Sequence, residues 1–241
     1  MRFSIITVVL NDIKNIEKTI LSVKNQTYKN YEHLIIDGKS LDGTIKLIKK
    51  YSKTVKLYIK KDKSLYEAIN TGIKKSKGEI IFLIHSGDIF GDKNILKKVN
   101  KIFKKKLDIL SGNIQFYKLD EKKIIRDWSI KLSHLSIMNF FKVPHTSLFV
   151  KKNLFKKTKN YSTNYKISSD LDFLIKLSKL QSNFQYLNEN IIYMKTGGLS
   201  TSLKNTLARY NEDLKILYKH FGLFFLFIFI LKILNKIPSL L

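Results

Sequence analysis

Three carboxylates, Asp37, Asp88 and Asp170, are candidates for binding a cation or for acid–base catalysis. Asp37 and Asp88 each follow a short apolar run, and Asp88 closes the turn Ser86-Gly87-Asp88. A carboxylate at the end of a buried strand can hold a divalent cation, and the cation can hold a diphosphate. Asp170 lies at the start of a predicted helix, where a general base or a simple helix cap would both place a carboxylate. Taken singly, all three also fit ordinary turn and capping roles.

The elements around these residues predict an open α/β sheet. Apolar runs predict strands at 2–10, 33–37, 55–59 and 80–84, and segments of helical periodicity lie between them. This order is typical of a Rossmann-like, mostly parallel sheet with helices on both faces. Right-handed crossovers bring the carboxyl ends of such strands to one edge, where ligands bind. We therefore expect Asn11, Asp37 and the Asp88 turn to lie along one edge.

The pattern beyond Asp92 is looser. It predicts a basic helix at 95–103, a helix opening at 168–172, and strands at 109–117, 124–130, 147–150 and 191–194. Since no repeat or linker divides the first 200 residues, we predict one domain over 1–204 and a helical appendage over 205–241. No Gly-x-Gly-x-x-Gly or P-loop follows a strand, which disfavours a dinucleotide fold or an NTPase.

The composition limits the classes of function. Lys and Arg exceed Asp and Glu by 45 to 19, a net charge of +26. This charge favours an anionic partner, although the excess of lysine also fits drift in an AT-rich genome, and lysine reads bases less well than arginine. Without cysteine, the chain has no disulfide, thiolate nucleophile or cysteine-ligated zinc. Its first residues lack a signal-peptide pattern, so we expect a cytoplasmic protein.

The carboxyl-terminal tail contains an unbroken apolar run of nine residues, 223–231, with basic residues on either side. A helix that spans a bilayer needs about 20 apolar residues. The run therefore indicates an interfacial or re-entrant segment at a basic surface. The alternative is a helix buried against the domain or against a partner subunit.

An ordered set of motifs extends over residues 3 to about 200. The motifs lie at 4–11, 20–23, 26–28, 35–38, 42–44, 62–73, 78–80, 86–88, 144–149, 169–174 and 197–200. With these motifs the chain resembles family 2 glycosyltransferases of the GT-A fold, especially bacterial enzymes of surface-polysaccharide assembly. The resemblance implies an inverting transfer of a sugar from a nucleotide-diphosphate sugar, often UDP-linked, to a glycan or polyprenyl-linked acceptor. The site of action would be the inner face of the plasma membrane, with the protein held there peripherally.

The resemblance also implies a role for each site residue. It places the donor nucleotide sugar against the polar residues Thr7, Asn11, Asp37, Asp62, Asn70 and Ser86. It makes Asp88 the ligand of a divalent cation, Mg²⁺ or Mn²⁺, and Asp170 the general base. On the acceptor side it places His145 and the Gly197-Gly198 turn.

One departure from the family pattern concerns the metal motif. Many relatives carry paired aspartates there, whereas in this chain Gly87 precedes Asp88. A single carboxylate implies looser metal binding, with the diphosphate and water as further ligands. The same departure leaves open an alternative function, a membrane-associated scaffold that kept the fold but has little or no activity. A second alternative, a basic nucleic-acid-binding protein, rests on the net charge of +26.

Overall fold

The computed structural model describes residues 1–104, 106–118, 123–129, 132–180, 182–196 and 203–234. The predicted Gly197-Gly198 turn lies outside the described residues.

The first half of the chain forms the parallel part of a sheet. Its strands are β1 (Phe3–Val9), β2 (Tyr31–Asp37), β3 (Lys56–Ile59) and β4 (Ile80–Leu83), in the order β3-β2-β1-β4. The helices between them are α1 (Ile16–Lys24), α2 (Thr44–Lys49) and α3 (Leu65–Lys75). Every residue of β1 is buried because helices cover both faces of the sheet, which explains its unbroken apolar sequence.

The second half extends the same sheet with mixed pairing. Its elements are β5 (Ile89–Phe90), α4 (Ile95–Phe103), β6 (Ile109–Lys118), β7 (Lys123–Trp128), β8 (Phe149–Lys151), α5 (Lys152–Lys157), α6 (Ser169–Lys179) and β9 (Phe184–Lys195). The strand order continues β4-β8-β6-β9-β5, and β7 pairs with β6. The pairs β4–β8, β8–β6, β6–β7 and β9–β5 are antiparallel. The α/β class is confirmed, but the sheet is mixed: β1 to β4 are parallel, and in the second half only β6 and β9 pair in parallel among the described strands.

Apolar side chains fill both sides of this sheet. On one side α3 and α6 pack over the strands, and Tyr161 stacks on Phe173 of α6 with ring centroids 4.4 Å apart. On the other side α1 and α4 cover Phe3, Phe82 and Phe149, whose rings also contact one another. Two covered faces leave the strand ends as the accessible edge for a ligand.

The last described segment is a helical hairpin. It consists of α7 (Leu203–Phe221) and α8 (Phe225–Leu234), joined at Gly222, whose φ is +56°. Lys232 of α8 forms a buried ion pair of 2.6 Å with Asp213 of α7. Ile216 and Leu217 of α7 are fully buried in the same apolar cluster as the inner face of α6, so the hairpin packs directly on the α/β domain.

Candidate active site

The loops after β1 and β2 are tied to each other at the carboxyl edge. Asn11, in the left-handed region at φ +50°, accepts a 2.8 Å hydrogen bond at its side-chain oxygen from the Leu41 N–H. Its own N–H donates to the Ser40 hydroxyl over 2.8 Å. Both carboxylate oxygens of Asp37 accept bonds from Ser40, at 2.7 and 2.8 Å. Asn11 and Asp37 therefore build one rigid corner at the edge where they were expected.

The turn after β4 joins this corner through a residue that the sequence did not single out. The Ser86 hydroxyl donates to Oδ2 of Asp12 over 2.7 Å. The Lys195 ammonium lies 3.8 Å from the other carboxylate oxygen of Asp12. The three strand ends and the end of β9 thus meet around Asp12, which confirms the expected convergence.

Asp88 lies buried in that turn, and only one of its two carboxylate oxygens has a hydrogen-bond partner. Oδ1 accepts a 2.9 Å bond from the Lys195 N–H, and the Asp88 N–H donates to the His85 carbonyl over 3.0 Å. Oδ2 is buried and has no hydrogen-bond partner. Burial raises the pKa of Asp88 to about 7, although the two backbone contacts and the Lys195 charge act in the opposite direction.

The conformation of Gly87 explains why a second aspartate is missing from the motif. Its φ is +93°, a region that glycine adopts far more readily than any residue with a Cβ. A Cβ at this position would also lie 2.6 Å from the Lys195 side chain. The turn therefore favours glycine, and the lysine side chain occupies the space beside it.

The donor atoms at this turn fit a cation held by one protein carboxylate. The partnerless Asp88 Oδ2 is a hard oxygen that needs a proton or a cation to offset its burial. Among the described residues, no group of three or more His, Cys, Asp or Glu side chains could enclose a metal. A cation at Asp88 would therefore take its other ligands from a diphosphate and from water, as Mg²⁺ commonly does.

Asp170, in the first turn of α6, forms a second polar centre with His145. The Asp170 Oδ2 atom lies 3.1 Å from His145 Nδ1, and the side chain of Asp170 is 25% exposed. The Tyr66 hydroxyl lies 3.3 Å from Oδ1 of Asp170 and donates to the Ile167 carbonyl over 2.6 Å. Burial, and then the charge of Asp170, raises the pKa of Tyr66 well above its ordinary value, so Tyr66 stays a neutral donor.

His85 connects the two centres. Its carbonyl receives the Asp88 N–H, and its ring lies within electrostatic range of His145 and Asp170. Burial, and then the nearby His145, lowers the pKa of His85 to about 4, while Asp170 acts against this shift. The His85 ring is therefore neutral at pH 7 and contributes no charge between Asp88 and Asp170.

Three of the predicted donor residues are engaged within the fold. Thr7 is fully buried in β1, and its hydroxyl lies 2.9 Å from the His33 ring. Asn70 holds the backbone of Tyr161 through two bonds of 2.8 and 3.1 Å. Asp62 pairs with Lys60 at 2.6 Å, outside the corner built by Asn11 and Asp37. The structure thus does not bring Thr7, Asn70 and Asp62 to one surface, and their contact with a donor stays a prediction.

The fold and the two polar centres place the protein in a recognisable class. Over 90% of this chain, the structure is similar to that of TarS from S. aureus in complex with UDP-GlcNAc, with a TM-score of 0.71 and 17% identity. It is also similar over 90% of the chain to a mannosyltransferase from Pyrobaculum calidifontis with GDP-Man and Mn²⁺, with a TM-score of 0.66 and 14% identity. The chain spans 66% and 63% of these two proteins. The fold is therefore that of the GT-A glycosyltransferases.

Comparisons of sequence give the family. The model of glycosyl transferase family 2 matches residues 4–171, and the chain belongs to that family. It is 28% identical to the poly(ribitol-phosphate) beta-N-acetylglucosaminyltransferase TarP of Staphylococcus aureus, over 90% of this chain and 72% of its relative. The expected family and fold are thereby confirmed.

Proposed function

We propose that this protein is an inverting glycosyltransferase that transfers a sugar from a nucleotide-diphosphate sugar to a glycan or lipid-linked acceptor. The observation that carries the proposal is the partly exposed Asp170 carboxylate, held between His145 and Tyr66 close to the end of β4. A carboxylate that is fixed by two neighbours and still open to solvent has the geometry of a general base. Lys195 and Asp88 lie near the same strand end. The Lys195 ammonium would attract the negative charge of a diphosphate directly, and Asp88 would do so through a bound cation.

The donor side of the site is the corner formed by Asn11, Asp37 and Ser86. Asp88 Oδ2 would hold Mg²⁺ or Mn²⁺, and the cation would neutralise the departing diphosphate as a Lewis acid. The Lys195 ammonium, 3.8 Å from Asp12, adds a fixed positive charge at this corner. The TarS complex with UDP-GlcNAc supports a UDP-linked donor. The mannosyltransferase complex with GDP-Man and Mn²⁺ supports Mn²⁺ as the cation and makes a GDP-linked donor the alternative.

The acceptor side is formed by Asp170 and His145. Asp170 accepts the proton of the acceptor hydroxyl as that oxygen attacks the anomeric carbon from the face opposite the diphosphate, which inverts the centre. His145 and Tyr66 keep the carboxylate in place through the contacts at 3.1 and 3.3 Å. General-base catalysis of this kind contributes on the order of 10²–10⁴ in rate.

The hairpin of α7 and α8 supports a site of action at the inner face of the plasma membrane. Within the described residues, one helical stretch, Asn205–Leu234, is long and apolar enough by composition to cross a bilayer. The turn at Gly222 divides this stretch, and Leu223 and Phe224 at the turn are 88% and 73% exposed. An apolar tip on a strongly basic protein fits interfacial binding to anionic lipid, where a polyprenyl-linked acceptor would be found.

The proposal predicts that Asp170→Asn greatly lowers the rate of sugar transfer but leaves the binding of the donor nucleotide sugar unchanged. The measurement is release of nucleotide from a panel of UDP- and GDP-sugars, with Mn²⁺, Mg²⁺ or EDTA. We expect kcat to fall on the order of 10²–10⁴-fold, with the donor KM within about twofold because Asp170 is on the acceptor side. The anomeric configuration of the product, read by NMR, tests inversion.

Asp92→Asn is the matched control. Asp92 is an exposed carboxylate that accepts a local bond from the Asn94 N–H just before α4. Its replacement should leave kcat unchanged. Full activity of Asp170→Asn, or a product that retains the anomeric configuration, would overturn the proposed mechanism.

A further inference from the structure

A carboxylate of α7 binds the backbone that leads into α6. Oε1 of Glu212 accepts the Lys166 N–H, and Oε2 accepts the N–H groups of Ile167 and Ser168, each over 2.9 Å. Ser168 is the N-cap residue of α6, and its side chain makes no capping hydrogen bond. Glu212 therefore fixes, from 44 positions away in sequence, the backbone of the three residues that lead into the first turn of α6.

The backbone held by Glu212 carries the Asp170 side chain. Ile167, whose N–H binds Glu212, also presents its carbonyl to the Tyr66 hydroxyl at 2.6 Å. The same hydroxyl lies 3.3 Å from Asp170, which follows Ser168 by two residues. Glu212 thus fixes one end of a short chain of contacts, and the carboxylate that faces His145 is at the other end.

Other contacts hold α6 and α7 together, so a role of Glu212 in positioning Asp170 can be tested separately from a role in folding. Asp172, fully buried at the end of the first turn of α6, lies 2.8 Å from the His220 ring of α7 and pairs with Lys176. Ile216 and Leu217 are buried in the apolar cluster that includes α6. These contacts hold α6 against α7 without Glu212, so the loss of Glu212 would loosen the backbone of 166–168 and leave the helix pair packed.

We propose that Glu212 is a positioning residue for Asp170, an inference that rests on the proposed function. Glu212 lies on α7 and has no contact with the acceptor side itself. Its effect on the reaction passes through the backbone of 166–168 to the orientation of the Asp170 carboxylate. Displacement of a reacting group by about 1 Å can cost about 100-fold in rate. The carboxyl-terminal hairpin is therefore part of the catalytic machinery as well as a surface element.

The test compares Glu212→Ala and Glu212→Gln in the full-length protein with the control Glu189→Gln. Glu189 pairs with Lys98 on the opposite part of the sheet. We expect kcat for the best donor of the panel to fall about 10- to 100-fold in Glu212→Ala. The decrease should be smaller in Glu212→Gln, whose amide oxygen can still accept the two N–H bonds made by Oε2. The donor KM should stay within about twofold in all three variants.

The experiment distinguishes failure of the role proposed for Glu212 from failure of the proposed function. If the wild-type protein releases no nucleotide from any donor, the proposed function fails. In that case a hydrogen-exchange measurement still tests the contact: amides 166–168 must exchange faster in Glu212→Ala than in the control, and equal exchange overturns the inference. If the wild type is active, an unchanged kcat in Glu212→Ala overturns it, and so does a loss of kcat that only follows the loss of folded protein in a thermal melt.

Discussion

Replacement of Asp88 by Asn isolates the charge of the buried carboxyl. Asn keeps an acceptor for the Lys195 N–H and has the shape of the protonated acid. Burial raises the pKa of Asp88 from 3.8 to about 7, so the folded protein retains a proton that the unfolded chain releases. The stability that Asp88 contributes is therefore complete below pH 3.8 and is lost as the pH rises through 7. At about 1.4 kcal/mol per pKa unit, the loss amounts to at most about 4 kcal/mol.

Urea unfolding of the wild type and of Asp88→Asn in EDTA, between pH 4 and pH 8, measures this loss. We expect the free energy of unfolding of the wild type to fall relative to the variant by up to about 4 kcal/mol, while all other titrating groups cancel. Mn²⁺ at about 100 times its Kd should then restore about 2.7 kcal/mol at pH 8 to the wild type alone. A difference that stays constant with pH would refute the burial argument. Equal stabilisation of both proteins by Mn²⁺ would refute Asp88 as the ligand.

Two further predictions concern parts of the chain outside the polar centres. Asn70→Ala should lower the free energy of unfolding, measured in urea, by about 2–3 kcal/mol, because two backbone groups of Tyr161 lose their partner. A decrease of less than about 0.5 kcal/mol would show that these two hydrogen bonds do not stabilise the fold. Replacement of Leu223, Phe224 and Phe227 by Ser should weaken sedimentation with anionic lipid vesicles at least tenfold, whereas Ser at the exposed Ile125 should not. Equal sedimentation of both variants would contradict the membrane role of the hairpin.

Much of the fold could be predicted because the first half of the chain carries local signals. A helix was expected between the strands predicted at 55–59 and 80–84, and α3 lies there: Ser64 caps it, and its apolar positions follow helical spacing. The long strand β9 was predicted only over 191–194, since its first part, Phe-Gln-Tyr-Leu-Asn-Glu-Asn, has neither alternation nor an apolar run. Parallel pairing with β6 defines that part of the strand, and such long-range pairing leaves no local pattern.

The candidate site was harder to predict for the same physical reason. In β1 both faces are buried, so the period-2 rule gives no direction for Thr7, which turns to His33 inside the sheet. Asp12 and Lys195 have ordinary sequence surroundings, and only the meeting of three strand ends brings them together. Glu212 lies on a helix whose amphipathic pattern marks it as a plain surface residue. Its contact with 166–168 arises from tertiary packing alone.

The single carboxylate of the metal motif and the lysine beside it are best understood as parts of one arrangement. The left-handed turn at Gly87 would strain a second aspartate, and the Lys195 side chain lies in the space where a Cβ would be. The same lysine donates its N–H to Asp88 and carries a positive charge within 4 Å of Asp12. A diphosphate at this corner would therefore meet one fixed cation from the chain and a divalent cation held by a single protein oxygen. Because the fixed charge remains when the metal is removed, we expect weaker dependence on the metal than a site with paired aspartates would have.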